Sequence, residues 1–363
     1  MAGVALAHDY LTQRGGAERV LAAMAREFPD AAVHTALYDR DATHADFNAA
    51  SIHTLWPNAI PGLRHHHRWA LPVLAPAFST ARVDAPVTLV SSSGWAHGIR
   101  VSGRKVVYCH APARWLHQRQ RYLGARRRAA GVALRVLAPR LLAWDRRALR
   151  SADRILCNSL ATQELLRAGY GVEAEVLHPP PGLDPNGPCP PVSGVNPGHL
   201  LCVSRLLPYK NVDAVVGAAA LMPDCSFVVA GDGPERNRLQ ASAGPNVTFV
   251  GGVGDAHLRW RYANCAGLIA PAHEDFGLTV LEAAQFGKPV AALRWGGYLE
   301  TVREGETGLF FESPAPATVA EAAARLIGRE WSAQPIRTWA GGFAEAAFRV
   351  RLRAVIEEEL ERA

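Results

Sequence analysis

The chain has 363 residues and a net charge of +6, with 49% hydrophobic and 20% charged residues. This length predicts two domains, each with its own core, and the composition excludes a disordered or fibrous protein. No apolar stretch is long enough to span a bilayer, and a strand begins at residue 3 with no charged leader before it, so we expect a cytoplasmic protein. The six scattered cysteines favour reduced core thiols over disulfides.

Short apolar runs alternate with helical patterns in the predicted first domain, residues 1–180. The predicted strands are residues 3–7, 32–37, 87–91, 105–109 and 154–158, and the predicted helices are residues 17–27, 119–150 and 160–168. This alternation predicts a parallel sheet with helices on both faces. Three consecutive histidines, 65–67, cannot all face one ion on a helix, so we interpret them as a surface cluster.

Gly15 and Gly16 follow the first predicted strand and precede a helix. Glycine lets the backbone approach an anion closely, so this loop is a candidate phosphate contact, with a plain flexible loop as the alternative. It is no Gly-x-Gly-x-x-Gly fingerprint, so a dinucleotide is not implied. The segment Asp39-Arg40-Asp41 carries an arginine between its acids, which favours a solvated loop over a divalent-ion site.

Residues 119–150 hold ten arginines against one acid, Asp145. Apolar residues interleave with them, as in an interfacial helix on anionic lipid, where each arginine contributes on the order of 1 kcal/mol. We therefore predict peripheral membrane association through Arg119 to Arg150. The alternatives are a solvated helix with its apolar side in the core and a nucleic-acid patch, which the lack of a known motif disfavours. The arginines are Arg119, Arg121, Arg126, Arg127, Arg128, Arg135, Arg140, Arg146, Arg147 and Arg150.

His110 follows the predicted strand 105–109, at the carboxyl edge of the first sheet, where a polar core histidine is the alternative to a functional one. A Pro/Gly-rich segment, residues 181–198, is the predicted linker. The second predicted domain, residues 199–336, repeats the alternation, and residues 337–363 form one long helical pattern. Its predicted strands are residues 199–204, 226–230, 247–251, 267–272 and 289–293, and its predicted helices are residues 212–222, 235–243, 255–263 and 279–286.

Two cations follow the first strand of this second domain. Arg205 lies at the carboxyl end of that strand, and Lys210 comes five residues later, with Pro208 stiffening the loop. Both side chains can reach one diphosphate, arginine as a planar fork and lysine as a point charge. Fixed cations could thus stabilise a leaving diphosphate in place of a metal ion. Exposed charges at a helix start are the alternative.

Two carboxylates stand eight positions apart after an apolar run: Glu274 in the loop between a strand and a helix, and Glu282 inside that helix. The free N–H groups at the helix start would bind phosphate. Acids beside an anion site make sense as hydroxyl acceptors, one for each sugar of a nucleotide-sugar. Salt bridges are the alternative.

Three segments in this order resemble the retaining glycosyltransferases of the GT-B fold in family four: residues 15–19, residues 205–210, and the Glu-x7-Glu pattern of residues 274–282. The likeness covers nearly the whole chain. It implies an α/β protein with two doubly wound, Rossmann-like parallel-sheet domains facing a central cleft. It also implies that the C-terminal helix, residues 337–363, packs back on the N-terminal domain.

The resemblance also implies roles for individual residues. Arg205 and Lys210 would hold the diphosphate, His110 would hydrogen-bond the donor sugar, and the Gly15-Gly16 loop would touch phosphate. Glu274 would accept from the sugar hydroxyls, Glu282 would accept from the ribose, and Phe276, Gly277 and Leu278 would offer backbone N–H groups. Gly231, in the tight turn 231–234, and Val253 and Asp255 would line the base pocket. A carboxylate accepts two bonds from guanine, so Asp255 favours a guanine nucleotide, although helix capping would also explain it.

Residues 108–116 are similar to bacterial mannosyltransferases that build lipopolysaccharide or exopolysaccharide, but here His-Gln-Arg follows at 117–119 where relatives often carry an acid. We therefore expect a hexosyltransferase, with GDP-mannose as the favoured donor and a glycan or polyprenyl-diphosphate-linked acceptor. No nucleophile stands out in the matched motifs, so we expect front-face displacement without a metal or other cofactor. The alternatives are a UDP-sugar donor, a soluble natural-product acceptor, a nucleotide-sugar epimerase or phosphorylase, and a non-catalytic binding protein.

Overall fold

The computed structural model describes residues 3–65, 70–113, 116 and 128–363, with side chains in the long basic helix described from residue 138 onward. The chain divides into two compact units. The first consists of the described residues up to Pro180 together with Glu345–Ala363, and the second is Pro181–Ala344.

The first unit is built on a seven-stranded parallel sheet in the order β3-β2-β1-β5-β7-β8-β9. The chain leaves β1 towards one edge and then returns to build the other, which is the doubly wound arrangement. Every residue of β1 and β5 is buried, as expected for central parallel strands. The strands are β1 Val4–His8, β2 Val33–Thr35, β3 Ile52–Thr54, β4 Arg82–Val83, β5 Val87–Ser92, β6 Arg100–Val101, β7 Arg104–Cys109, β8 Arg154–Cys157 and β9 Glu175–Val176, of which β4 and β6 form a separate pair.

The first unit also contains α-helices. They are α1 Gly16–Glu27, α2 Leu71–Thr80, α3 Arg128–Arg150, α4 Leu160–Tyr170 and, from the end of the chain, Glu345–Leu360. In α4, the Ser159 hydroxyl accepts from the Thr162 N–H, and Gly171 ends the helix at a left-handed φ of 63°.

The second unit has a six-stranded parallel sheet in the order β12-β11-β10-β13-β14-β15. Its strands are β10 Leu200–Val203, β11 Phe227–Ala230, β12 Val247–Gly251, β13 Gly267–Ala270, β14 Val290–Leu293 and β15 Gly308–Phe311. Its helices are α5 Val212–Leu221, α6 Arg236–Ser242, α7 Asp255–Asn264, α8 Leu278–Gln285, α9 Tyr298–Thr301, α10 Pro316–Ile327 and α11 Ala333–Gly341. The predicted parallel α/β class, with two such sheets, is confirmed.

The single helix predicted for residues 337–363 is wrong. Helix α11 ends at Gly341, and a second helix, α12 Glu345–Leu360, begins after a break. Gly341 and Gly342 are consecutive, and glycine is a poor helix former, which explains the break. Helix α11 belongs to the second unit, whereas α12 belongs to the first, so residues 337–344 lie with the second unit.

Helix α12 is anchored in the first unit by charged pairs. Glu27, at the end of α1, has a side chain only 2% exposed and accepts from Arg349 at 2.8 Å and also from Arg353. The Arg104 side chain of β7 donates to Glu359 at 2.8 Å. The burial of these acids makes α12 a structural part of this unit.

Residues 181–198, predicted as a linker, contain no helix or strand. They lie on the second unit, because Leu183 is buried in its core and Arg259 donates to the Asp184 and Pro188 carbonyls at 2.6 and 3.2 Å. The segment is thus tied to the second unit over at least part of its length.

Candidate functional site

In the second unit, two cations and a carboxylate follow the carboxyl ends of two adjacent strands. We call Arg205, Lys210 and Glu274 the cation cluster. Arg205 comes two residues after β10, and its exposed side chain donates to the Tyr209 hydroxyl at 3.2 Å. A short 3-10 helix, Pro208–Lys210, then ends at Asn211, which has a left-handed φ of 52°. The Asn211 amide donates to the Pro271 carbonyl at 2.8 Å, which fixes this turn against the end of β13.

The structure pairs Lys210 with Glu274, so Glu274 does form the salt bridge that was its alternative role, although the sequence did not identify Lys210 as the partner. The ammonium donates to a Glu274 carboxylate oxygen, and the two side chains are 9% and 22% exposed. An anion that binds Lys210 must therefore share this cation with Glu274. A sugar hydroxyl next to the pair could both donate to the carboxylate and accept from the ammonium.

The loop that carries Glu274 leads directly into the first turn of α8. Gly277 is its N-cap residue at φ 96°, and a Cβ there would lie 2.5 Å from the Tyr298 ring. Gly297 donates its N–H to the Glu274 carbonyl at 3.1 Å, so the segment after β14 supports this loop. Sequence reasoning missed that support, although the consecutive glycines 296 and 297 were a visible signal.

Glu282 lies on the second turn of α8 and is 5% exposed. The hydroxyl of the fully buried Tyr262 donates to it at 2.9 Å, which holds the carboxylate in place. Phe276 is buried in a small apolar cluster with Leu281, and Leu278 packs against that cluster. The predicted donor contacts of these residues stay predictions.

The predicted base-pocket residues lie in two loops. Gly231 has φ 134°, and a Cβ there would meet the Ser204 carbonyl at 2.0 Å, so its close approach to the β10 loop requires glycine. Val253 packs against the core of the second unit. Asp255 is the first residue of α7, one position after the N-cap residue Gly254, so it lies in the first turn of the helix and not at the N-cap position.

In the first unit, four polar residues come together at the carboxyl ends of β1, β5 and β7. We call His8, Glu18, Ser91 and His110 the histidine cluster. His8 of β1 lies in register with Ser91 of β5. Strand β5 also pairs with β7, and His110 is the residue that follows β7. The Ser91 hydroxyl is 2.7 Å from His110 Nε2 and 3.0 Å from His8 Nδ1. Because all four residues are at most 9% exposed, they depend on one another for hydrogen bonds and charge.

Charges in the histidine cluster follow from burial and proximity. Burial alone would lower the pKa of His8, but the Glu18 carboxylate, the nearby Asp9 carboxylate and the Ser91 carbonyl together outweigh burial and raise that pKa above its usual value. Burial would raise the pKa of Glu18, yet His8 and a 2.8 Å hydrogen bond from Gln13 lower that pKa to about 2. Burial, reinforced by the charge on His8, lowers the pKa of His110 to about 3. His110 is therefore neutral at physiological pH.

Gly15 and Gly16 lie beside this cluster. Gly15 has an ordinary extended backbone, but a Cβ there would lie 2.3 Å from a Glu18 carboxylate oxygen. Gly16 is the first residue of α1. The structure thus gives Gly15 a packing reason, and its contact with phosphate stays a prediction.

The basic helix α3 has one side packed in the first unit and arginines exposed on the other, and its association with a membrane stays a prediction. Asp145 is fully buried, 2.9 Å from His97 and 2.5 Å from the Tyr170 hydroxyl, so this side of α3 packs in the unit. Arg140, Arg146, Arg147 and Arg150 are exposed. Arg119, Arg121, Arg126 and Arg127 lie outside the described residues, as do His66 and His67 of the histidine run, and the side chains of Arg128 and Arg135 are not described.

Within the described part of the chain, no helix is both long and apolar enough to cross a membrane. No three His, Cys, Asp or Glu side chains among these residues are grouped as metal ligands. Asp39 of the Asp-x-Asp segment accepts from the N–H groups of Asp41 and Ala42, so it shapes its own turn.

Two family models match the chain in succession. Residues 14–186 match Glycosyltransferase Family 4, and residues 192–337 match Glycosyl transferases group 1. A GDP-mannose-dependent alpha-(1-6)-phosphatidylinositol monomannoside mannosyltransferase of Mycolicibacterium smegmatis is 29% identical, over 64% of this chain and 68% of the relative. A D-inositol 3-phosphate glycosyltransferase of Acidothermus cellulolyticus is 31% identical, over 52% of this chain and 48% of the relative.

Two solved structures share the fold over nearly the whole chain. HepE of Anabaena, in complex with UDP and glucose, aligns with a TM-score of 0.71 at 18% identity, over 98% of this chain and all of the other. The sucrose-phosphate synthase of Thermosynechococcus elongatus aligns with a TM-score of 0.73 at 18% identity, over the full length of both chains. At this identity the likeness concerns the fold.

Proposed function

This chain belongs to glycosyltransferase family 4, and we propose that it transfers mannose from GDP-mannose to a glycan or lipid-linked acceptor with retention of anomeric configuration. The sequence prediction of this family, of the GT-B fold and of a hexosyltransferase is confirmed. The donor, the acceptor and the residue roles below are proposals.

The observation that carries the proposal is the cation cluster. Breaking the bond between the anomeric carbon and the diphosphate leaves an additional negative charge on phosphate, while the sugar becomes oxocarbenium-like. Arg205 is exposed just after β10 and donates to the hydroxyl of Tyr209, and Lys210 is the residue after Tyr209 in the short 3-10 helix. We propose that both cations bind the diphosphate, together with the N–H groups that begin α8.

The carboxylates serve hydroxyl groups in this proposal. Glu274, oriented by Lys210, accepts from a hydroxyl of the donor sugar, and Glu282, oriented by Tyr262, accepts from the ribose. His110 of the first unit donates a hydrogen bond to the donor sugar. The acceptor hydroxyl attacks the anomeric carbon on the face that the diphosphate leaves, and its proton passes to the departing phosphate oxygen.

GDP is the proposed leaving nucleotide. A relative that depends on GDP-mannose supports this choice, and so does the half-buried carboxylate of Asp255, which can accept two bonds from guanine. The HepE complex contains UDP, so a UDP-sugar is the competing donor.

A thermal-shift panel of GDP, UDP, ADP and dTDP tests the donor base. A nucleotide at about 100 times its dissociation constant stabilises the folded protein by roughly 2.7 kcal/mol, so the correct base stands out. We expect the largest shift with GDP, followed by GDP release from GDP-mannose in the presence of acceptor, with turnover unchanged by EDTA. A shift with UDP alone would overturn the donor, and loss of turnover in EDTA would overturn the metal-independent mechanism.

The acceptor is proposed to lie at an anionic membrane surface, because Arg140, Arg146 and Arg147 are exposed along α3. We expect binding to vesicles that contain anionic lipid, weakened by salt and by changing these three arginines to Gln. A variant with Arg167, Arg303 and Arg325 changed to Gln is the control, because it loses the same charge elsewhere. Equal binding of both variants would favour a soluble acceptor instead.

A further inference from the structure

One hydrogen-bond acceptor beside the histidine cluster, the Ser91 carbonyl oxygen, determines which atoms donate and which accept in the other hydrogen bonds of the cluster. His8 Nδ1 lies 3.1 Å from the Ser91 carbonyl oxygen as well as 3.0 Å from the Ser91 hydroxyl. A carbonyl oxygen can only accept, so His8 Nδ1 carries a proton. The reverse arrangement would place the Nδ1 lone pair against the carbonyl lone pairs in a buried site, which is unfavourable.

The proton on His8 then determines what Ser91 can do. With His8 Nδ1–H directed at it, the Ser91 hydroxyl oxygen accepts from His8, and its single proton is left for His110 Nε2 at 2.7 Å. His110 Nε2 must therefore accept. Since the imidazole of His110 is neutral, its one proton resides on Nδ1.

Glu18 supplies the charge that keeps this direction. Its carboxylate is 4.0 Å from His8 Nε2, an ion-pair distance longer than a hydrogen bond. Oxygen Oε1 also accepts from Gln13 at 2.8 Å, whereas Oε2 is buried without a hydrogen-bond partner. A buried, ionised carboxylate beside His8 favours the doubly protonated imidazolium form of His8. That form carries a proton on Nδ1, in agreement with the hydrogen bond to the Ser91 carbonyl.

His110 is held in place from its other sides as well. The Asn158 side chain donates to the His110 carbonyl at 2.7 Å, and the His110 N–H donates to the Ser92 carbonyl at 2.9 Å. The Tyr108 ring packs edge-on against the imidazole at 5.0 Å. Among the residues that the structure describes, none has a hydrogen bond to His110 Nδ1, which leaves that donor for a ligand.

We propose that Glu18, His8 and Ser91 are positioning residues that hold His110 as a neutral imidazole with its proton on Nδ1, directed at a ligand oxygen. The proposal rests on the donor contact of His110 in the proposed function. It gives that contact a chemical reason: a neutral N–H orients a sugar oxygen without placing an adjacent positive charge against an oxocarbenium-like ring. The positive charge stays on His8, where Glu18 balances it.

Nitrogen NMR of the full-length protein with 15N-labelled histidine tests the tautomer directly, in the absence of any substrate. We expect a protonated Nδ1 and an unprotonated Nε2 for His110, and an imidazolium for His8 at neutral pH. Protonated Nε2 on His110 in the wild-type protein would overturn the proposal.

Two variants separate positioning from general structural damage. Ser91→Ala removes the hydroxyl proton that the structure directs at His110 Nε2, so we expect mixed His110 tautomers and a kcat lower by roughly ten-fold with the donor KM nearly unchanged. Glu18→Gln keeps the size of the side chain, and we expect it to remove the His8 imidazolium signal at neutral pH. An unchanged His110 tautomer in Ser91→Ala, or an unchanged His8 in Glu18→Gln, would contradict the role of that residue.

Ser92→Ala is the matched control, because the neighbouring hydroxyl is 2.9 Å from His97 Nδ1 and 3.5 Å from an Asp9 carboxylate oxygen and does not contact the His110 ring. We expect the His110 signals of this variant to match those of the wild type. The proposed function fails independently if the wild-type protein shows no mannosyl transfer although His110 has the expected tautomer.

Discussion

The histidine cluster and the cation cluster differ in how far their charged and polar groups are buried. In the first unit, two histidines, a serine and a carboxylate are almost fully buried beside one another, so their surroundings in the fold govern their protonation states. In the second unit, Arg205 is exposed, and the buried Lys210 is paired with a partly exposed carboxylate. In the proposals made above, the first cluster presents a single fixed donor, whereas the second presents charge that a ligand can rearrange. The difference teaches that burial restricts the protonation states that a group can adopt, whereas exposure leaves a charge accessible to a ligand.

The largest expected effect tests whether the exposed cation acts on the ligand. Arg205→Ala should lower kcat/KM by about 10²- to 10³-fold, because it removes a donor aimed at the charge of the leaving group. Steady-state kinetics with the accepted donor measures this. Arg325→Ala, which removes an exposed arginine from α10, is the control and should leave kcat/KM unchanged. Equal kcat/KM values for Arg205→Ala and the wild type would contradict the proposal that the exposed Arg205 binds the leaving group.

A second experiment asks whether the Lys210–Glu274 pair also stabilises the second unit. Lys210→Met leaves the Glu274 carboxylate in a largely buried place without its cation, and we expect the free energy of unfolding to fall by about 3 kcal/mol. Urea unfolding measures it. The double variant Lys210→Met with Glu274→Leu should recover much of the loss, since neither charged group of the pair remains. A double variant as unstable as the single one would show that the pair is not the cause.

The pH dependence of stability also distinguishes the two clusters, because the histidine cluster contains a histidine with a strongly lowered pKa and the cation cluster contains no histidine. His110 has a pKa of about 3 when folded and 6.5 as a model group, so below pH 6.5 the unfolded chain binds a proton that the folded protein does not. Stability should therefore fall by about 1.4 kcal/mol per pH unit, or roughly 2 kcal/mol from pH 6.5 to 5. His8 acts in the opposite sense, because its raised pKa gives stability that is present below pH 6.5 and is lost as the pH rises, and the lowered pKa of Glu18 reduces stability as the pH falls below 4.5.

The His110→Gln variant isolates that contribution. Its free energy of unfolding, measured in urea at pH 6.5 and 5, should fall by about 2 kcal/mol less than that of the wild type. Parallel losses in the two proteins would mean that His110 is readily protonated in the folded state.

The smallest expected effect concerns Gly15. A Cβ at this position would approach the Glu18 carboxylate at 2.3 Å, so Gly15→Ala should displace that carboxylate and destabilise the protein by about 1 kcal/mol. The same variant should also lower the pKa of His8, visible by histidine NMR. A stability loss with an unchanged His8 would mean that the carboxylate keeps its place and that the backbone moves instead.

Apolar runs in the sequence were sufficient to find the central strands. Strands β1, β5, β11 and β13 are buried throughout and match the predicted strands to within two residues. Strands β3 and β9 were missed because they are only two or three residues long and partly exposed at the sheet edge. Helix α10 was also missed, although Pro316 at its start is a common helix signal.

The sequence by itself determined the fold class, the family and the residue types of the candidate site, because buried strands, glycine turns and the spacing of Glu274 and Glu282 are local features of the chain. It also placed Arg205 at the carboxyl end of a strand. These properties depend on a few neighbouring residues, so they can be predicted without knowing the long-range contacts.

Only the tertiary structure decided which of these residues meet. His8 and Ser91 are 83 residues apart, Ser91 and His110 are 19 apart, and Lys210 and Glu274 are 64 apart. These pairs form because β1, β5 and β7 are neighbours in one sheet and β10 and β13 in the other. Strand order is a property of the whole packed sheet, and so are the burial that keeps His110 neutral and the ion pair that holds Lys210.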